Sequence, residues 1–531
     1  MNDFKWLFVS EIKGIQEYIL ATDKLKHMVG ASEIIASITD REFYDEKVLK
    51  TLNCEYDKDY KVMMAAAGRL MLLFKDEAKI KDLMAVWSIV INEYAPGVEL
   101  VYDYFTIDSN NLQETRKKAL EKMTSRRQQQ NCSLPIPSLP VERCRRDGLA
   151  AVGIRDEERI SKEIKRKLDG AKESRSKIID KVIPELNKYD TLKELFPTDF
   201  QEITGTDDKT YMAIVHIDVN SMGSFFIDVG KNLEKENIDN TLKIYQGISK
   251  CLLESAKTAA KKATGTIFKY ILEKEEIQKS KTEVEMIPFR PLVLAGDDFT
   301  FVIKSPYAVR YSEKYIEEFN NEAKKQLAKI IKEYNLSISD EKYDFKLSAG
   351  ITFTKSKFPF KTAYGLCEKL CKMGKELSKR NVSTISFYRQ TTAASDDLEI
   401  LLNREFQHDK LEMTYKTYAL GSNNENLPSI KDLESIISAL YKLPRGSLRK
   451  IASKLFSDKN TVDMFWKRFI SICQERNSQV YEILKKSLIK ITKNTETPLW
   501  EKTPDGNYKT PLIDAINLYS VNSNFEDRSV E

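Results

Sequence analysis

HIDVNSMGSFF (residues 216–226) and RPLVLAGDDFTFVI (residues 290–303) decide how this chain is read. In the first stretch the apolar run YMAIVHI (211–217) ends in Asp218, followed by Asn220 and Gly223. In the second, two apolar runs flank Gly296-Asp297-Asp298, the pattern of a hairpin with an acidic turn. Carboxylates at the tips of buried strands are costly unless a cation neutralises them. If the two strands are neighbours, Asp218, Asp297 and Asp298 converge into a hard-oxygen cluster suited to Mg²⁺ or Mn²⁺. Two such ions activate an attacking hydroxyl and stabilise a departing pyrophosphate. The small Ala295 and Gly296 let a nucleotide approach the turn closely. A lone Gly-Asp-Asp also fits an ordinary polar turn. The Asp218 strand, Arg290-Pro291 before the hairpin and a later Ser-Ala-Gly strand favour the site.

Two further segments belong with this pair. KLSAGITF (346–353) reads as a strand whose Ser348 and Gly350 are small enough to line a nucleotide pocket. The helix expected over 360–380 carries Lys375 near its end, where it either reaches a triphosphate as a point charge or stands solvated. Cys367 and Cys371 lie four apart on that helix with no partner ligands nearby and read as core thiols.

Outward from this core, the supersecondary plan occurs twice. Residues 4–9, 61–74 and 98–106 read as strands, with helices over 14–37 and 75–95, giving the order β-α-β-β-α-β with helices on one face. From about 209 the plan returns, with strands at 211–217, 289–295, 299–304, 344–353 and 383–389. Helices are expected over 240–263 and 307–335. The fold class is therefore α+β, with two ferredoxin-like, split-βαβ domains, over 1–130 and 207–392. Between them, 131–206 is highly charged and reads as a helical connector, and 393–531 reads as a helical C-terminal domain.

The 531 residues exceed what one core supports, since single cores stop growing at roughly 250–300 residues. Net charge is +5, from 85 basic and 80 acidic residues, too small to argue nucleic-acid binding from charge alone. Seven scattered cysteines point to reduced thiols in a cytoplasmic setting. No apolar run reaches the roughly 18 residues of a membrane span, and no signal peptide is apparent. Three histidines disfavour a histidine-rich metal site, and His408-Asp409 reads as a solvated helical pair.

These residues resemble the large polymerase-like subunit of type III CRISPR effector complexes, the Cas ten or Cmr-type family. The family's second Palm domain carries an Asp-x-Asp/Asn-x-x-Gly strand end and a Gly-Gly-Asp-Asp hairpin. Here those positions are Asp218 to Gly223 and Ala295-Gly296-Asp297-Asp298. Phe289-Arg290-Pro291, Ser348-Ala349-Gly350 and the helix bearing Lys375 are similar too. KGIQEYILATDKLKHMVGASEII (13–35) resembles the family's first Palm, so the resemblance spans roughly 1–390.

The resemblance implies condensation of ATP into cyclic oligoadenylate. Asp218, Asp297 and Asp298 would hold two Mg²⁺ or Mn²⁺ ions, with the Val219 carbonyl as a further ligand. Asn220 and Ser348 would contact sugar or base, Gly223 and Gly350 would line the nucleotide site, and Lys375 would bind phosphate. Guide RNA, target RNA and other Cas subunits would be partners. Several features depart from the family. Its HD nuclease domain is missing, so no HD-type DNA cleavage is expected. The first Palm has Glu11 where a metal Asp would sit and AAAGRL (65–70) at its hairpin, so it reads as catalytically silent. The zinc cluster is reduced to Cys132 and Cys144, fewer than the four ligands of a closed site. Ala295 replaces the first hairpin glycine. Two rival readings stay open. One is a stand-alone cyclase, possible as a homodimer, that makes a cyclic dinucleotide. The other is a nucleotide-binding scaffold without turnover.

Overall fold

A computed structural model describes residues 4–66, 68–107, 112–128, 141–173, 177–184, 194–205, 210–234, 236–269, 286–391, 397–421, 427–443 and 445–522. Two sheets organise it, the first antiparallel and the second mixed, with β10 and β11 parallel. The first is built from β1 (Trp6–Lys13), β2 (Tyr60–Ala66), β3 (Arg69–Phe74) and β4 (Glu99–Thr106), in the order β2-β3-β1-β4. This is the split-βαβ order, in which β1 and β2 run parallel with β3 between them.

Helix α1 (Leu25–Ile38) follows β1, and helix α2 (Glu77–Tyr94) follows β3. In α2, Ile80, Leu83, Trp87 and Ile91 recur at helical spacing and are buried, while Asp76 caps the start by accepting from the Ala78 N–H at 2.9 Å. Phe8, Leu70, Leu72 and Phe74 face this pair. Leu7, Val9, Met71 and Leu73 face the other way, towards α3 (Leu112–Gln128). Both faces are thus covered, where helices on one face were expected. The helix expected over 14–37 is also divided: Ile15–Ile19 is separate, and α1 runs through Gly30. A Cβ at Gly30 would stand 1.8 Å from the Lys167 carbonyl of α4 (Lys162–Glu173), so glycine here admits a neighbouring helix.

The connector is not wholly helical. It holds a hairpin, β5 (Ala151–Arg155) and β6 (Glu158–Ser161), and Cys144 lies buried with Ile160, Ile164 and Leu168. Cys132 lies outside the described residues. Among the described residues no group of three or more His, Cys, Asp or Glu is arranged as a preformed metal cage.

The second sheet contains β7 (Met212–Val219), β8 (Phe289–Leu294), β9 (Asp298–Lys304), β10 (Leu347–Thr354) and β11 (Thr384–Arg389). Its order is β14-β11-β10-β7-β9-β8, where β14 is Thr417–Ala419, from the segment read as the C-terminal helical domain. Within it, β10-β7-β9-β8 repeats the order β4-β1-β3-β2. Helices α5 (Met222–Asn232) and α6 (Ile238–Ile267) follow β7, α7 (Ala308–Glu333) follows β9, and α8 (Phe360–Leu377) follows β10.

Strand β7 is buried along nearly its whole length because both faces are covered. Ala213, Val215, Ile217 and Val219 pack with α6 and α7. Met212 and Ile214 pack with Phe360, Ala363, Tyr364 and Cys367 of α8. Side chains alternate along a strand, so His216 and Asp218 emerge on the α8 face. The cysteines of α8 are core thiols: Cys367 donates to the Gly350 carbonyl at 3.0 Å and Cys371 to the Ser348 carbonyl at 3.1 Å.

Four helices follow from Ile430 to Thr492, with a small sheet of β12 (Gln407–His408), β13 (Leu411–Glu412), β15 (Glu501–Lys502) and β16 (Tyr508–Lys509). His408-Asp409 is therefore a hairpin feature rather than a helical one; Asp409 has φ 51°. Among the described residues no helix is long and apolar enough to cross a membrane.

Candidate active site

The β7–β9 register ends with Asp218 directly across from Asp298. On the other side of β7, Asp218 stands across from Ser348 of β10. The β8–β9 turn is held tightly. Ala295 N–H donates to the Asp298 carbonyl at 3.0 Å, and Val219 N–H donates to the Asp297 carbonyl at 3.1 Å. Gly296 has φ 85°, a left-handed conformation that glycine adopts without a Cβ penalty. The three carboxylates expected to converge are thereby brought to one strand end.

Their proximity is costly. Burial, then the neighbouring Asp298 and Asp218, push the Asp297 carboxyl up to about 6. His216 joins the cluster: its Nδ1 lies 3.0 Å from Thr300 Oγ1 and 3.3 Å from Asp298 Oδ1. Burial alone would lower the imidazole pKa, but Asp298 foremost and Asp218 outweigh it and leave it raised. The ring meets Tyr364 of α8 edge-on at 5.9 Å. His216 was not singled out from the sequence; its place two residues before Asp218 was the available signal, because alternation puts both on one face.

A cleft of about 2350 Å³ opens over this turn. Asp218, Gly223, Ala295, Gly296, Asp297 and Asp298 line it on one side, with Glu11, Gly68 and Arg69 from the first unit also in its wall. A Cβ at Gly223 would meet nothing within 4 Å, so this glycine borders open space.

Four expected nucleotide contacts are engaged elsewhere. Ser348 is fully buried and donates to Asn220 Oδ1 at 3.1 Å, while Thr384 donates to Ser348 at 2.9 Å. Asn220 is 2% exposed and donates to the Val382 carbonyl at 3.4 Å. These two side chains tie the end of β7 to its neighbours instead of facing the cleft. Gly350 does not line the cleft either. A Cβ there would lie 2.0 Å from the Cys367 carbonyl, so this glycine sets the approach of α8 to β10. Lys375 is buried, and its ammonium is hydrogen-bonded to Asp218 Oδ2 and, at 3.2 Å, to the Val219 carbonyl.

Residues 211–384 match the family model of the Cas10/Cmr2 second palm domain. That segment, about a third of the chain, is similar to a Cas10-type second palm. Among solved structures, an apo Csm1–Csm4 cassette matches with a TM-score of 0.51 at 14% identity, over 98% of this chain and 70% of the other. The same cassette in complex with cA3 and in complex with pppApA matches with TM-scores of 0.50, each at 14% identity over 98% of this chain and 69% of the other. At that identity the likeness is one of fold. No curated relative matches. The acidic end of β7 and the β8–β9 turn lie inside the matched segment, whereas the first sheet lies outside it.

Proposed function

We propose that this chain is the nucleotidyl-transfer subunit of a type III CRISPR effector complex and condenses ATP into cyclic oligoadenylate. The observation that carries this reading is the Asp218–Asp298 cross-strand pair, with Asp297 beside it, at the mouth of a cleft large enough for nucleotides. Like charges so placed, one of them with a raised pKa, form a site that a hard cation relieves. Asp218, Asp297, Asp298 and the Val219 carbonyl would hold Mg²⁺ or Mn²⁺. Such ions lower the pKa of a bound hydroxyl and neutralise charge developing on transferring phosphate.

In this reading the 3′-hydroxyl of one ATP attacks the α-phosphate of another, and pyrophosphate leaves. The chain's own contribution is alignment. The tight β8–β9 turn holds Asp297 and Asp298, and His216 with Thr300 fixes the Asp298 carboxylate. Gly223, Ala295 and Gly296 leave room beside the acids for the substrate. Linear and cyclic adenylates bound in the similarly folded Csm1–Csm4 cassettes support this substrate class, and those cassettes support a Csm4-type partner. A complex of this kind would bring guide and target RNA to the subunit.

Mass spectrometry of products from ATP with Mn²⁺ or Mg²⁺, with and without RNA-loaded complex, tests the reading. Wild type is expected to give oligoadenylate, and the double variant Asp297→Ala/Asp298→Ala to fall at least about 10³-fold, the scale of losing a central electrostatic element. Equal product from the double variant overturns the assignment.

A further inference from the structure

Lys375 occupies an unusual place for a phosphate-binding lysine. Its ammonium donates to two oxygens, Asp218 Oδ2 and the Val219 carbonyl. These are two of the donors that a metal at this turn would use. The side chain is 10% exposed, while Asp218 is 37% exposed on the cleft side. The backbone that carries the lysine is fixed. Gly374 lies so close to β11 that a Cβ would stand 2.6 Å from Thr384 Oγ1, and the Lys375 carbonyl accepts from Arg380 N–H at 2.9 Å. Helix α8 therefore has little freedom to withdraw, and only rotation of the lysine side chain frees the two oxygens.

We infer that Lys375 is a built-in counter-cation for the seat formed by Asp218 and Val219, and that a divalent metal and this ammonium occupy the seat in turn. A hard cation approaches oxygen to about 2.0–2.1 Å and demands the lone pairs that the ammonium holds. Two positive charges at one seat also repel. The released ammonium needs an anion, and the polyphosphate of a nucleotide in the cleft supplies one. Metal loading and nucleotide binding are then coupled, each favouring the other. In the free chain the lysine offsets the charge of Asp218 only, leaving Asp297 and Asp298 in excess. This inference rests on the metal-dependent reading above.

Mn²⁺ titration of the full chain without nucleotide, followed by electron paramagnetic resonance, tests it. Lys375→Met is expected to bind Mn²⁺ about tenfold more tightly than wild type, because its competitor is gone. Lys250→Met removes a charge from an exposed lysine of the same cleft and is expected to stay within about twofold. Equal or weaker binding by Lys375→Met, or an equal gain in Lys250→Met, overturns the inference. A second measurement uses the unaltered chain. Acetylation of Lys375 by a small amine-reactive ester, read by mass spectrometry, is expected to rise several-fold on adding Mn²⁺. Unchanged reactivity at saturating Mn²⁺ overturns it even if the variant misfolds. Loss of Mn²⁺ binding in Asp297→Ala/Asp298→Ala is the control for the underlying reading. If that variant binds like wild type, the metal site itself is wrong, a failure distinct from that of the lysine's role.

Discussion

In the first sheet Glu11 stands across from Arg69; at the corresponding end of the second sheet Asp218 stands across from Asp298. The strand order is the same, and both hairpins turn through a glycine with positive φ, Gly68 and Gly296. At these matching strand ends the charge differs. Glu11 is buried, and its carboxylate pairs with Arg69 at 2.6 Å and with Arg127 at 3.6 Å. That pairing balances the acid's charge within the protein. The second sheet places three acids together and offers one lysine. One scaffold thus carries a neutralised strand end and an electrostatically frustrated one, and that frustration is what the proposed metal would relieve.

The sharpest way to break this comparison is to give the first sheet the second sheet's charges. Arg69→Asp sets a carboxylate across from Glu11 and removes its closest cation. Breaking one side of a buried pair costs on the order of 3–5 kcal/mol. Arg127 remains near Glu11, so about 3 kcal/mol is expected by chemical denaturation. Mn²⁺ should recover part of that loss in the variant and raise its Tm more than that of wild type. A variant as stable as wild type and indifferent to Mn²⁺ would mean that charge pairing does not distinguish the two ends.

The smallest effect is expected from the opposite change. Glu11→Ala leaves Arg69 and Arg127 with partly exposed side chains that water can solvate. Stability should fall by about 1 kcal/mol or less, and product yield from ATP should stay within about twofold of wild type. A loss approaching that of Asp297→Ala/Asp298→Ala, in a chain that melts normally, would show that the first sheet takes a direct part in turnover.

Much of this contrast is legible in the sequence. Asp218 at the end of an apolar run and the acids between two apolar runs declare themselves, as does the lack of acids in AAAGRL. The partner of Glu11 does not. Arg69 reads as a turn residue until the β1–β3 register sets it opposite the acid. Ser348 and Asn220 have the small, polar character of nucleotide contacts, yet their hydroxyl and amide satisfy one another across β7 and β10. Gly350 shows the same ambiguity, since a glycine that admits a ligand and one that admits a helix look alike in sequence. The β5–β6 hairpin is hidden because charged residues dominate RDEERIS and mimic a helical run. Lys375 reads as a phosphate contact in the sequence; its pairing with Asp218 depends on how closely Gly374 seats α8 on β11.

Anomalous diffraction from crystals of the full chain grown with Mn²⁺ tests the central claim most directly. The account predicts a peak bounded by Asp218, Asp297 and Asp298, and none between Glu11 and Arg69. A peak at Glu11, or an empty acidic turn at saturating Mn²⁺, would contradict it.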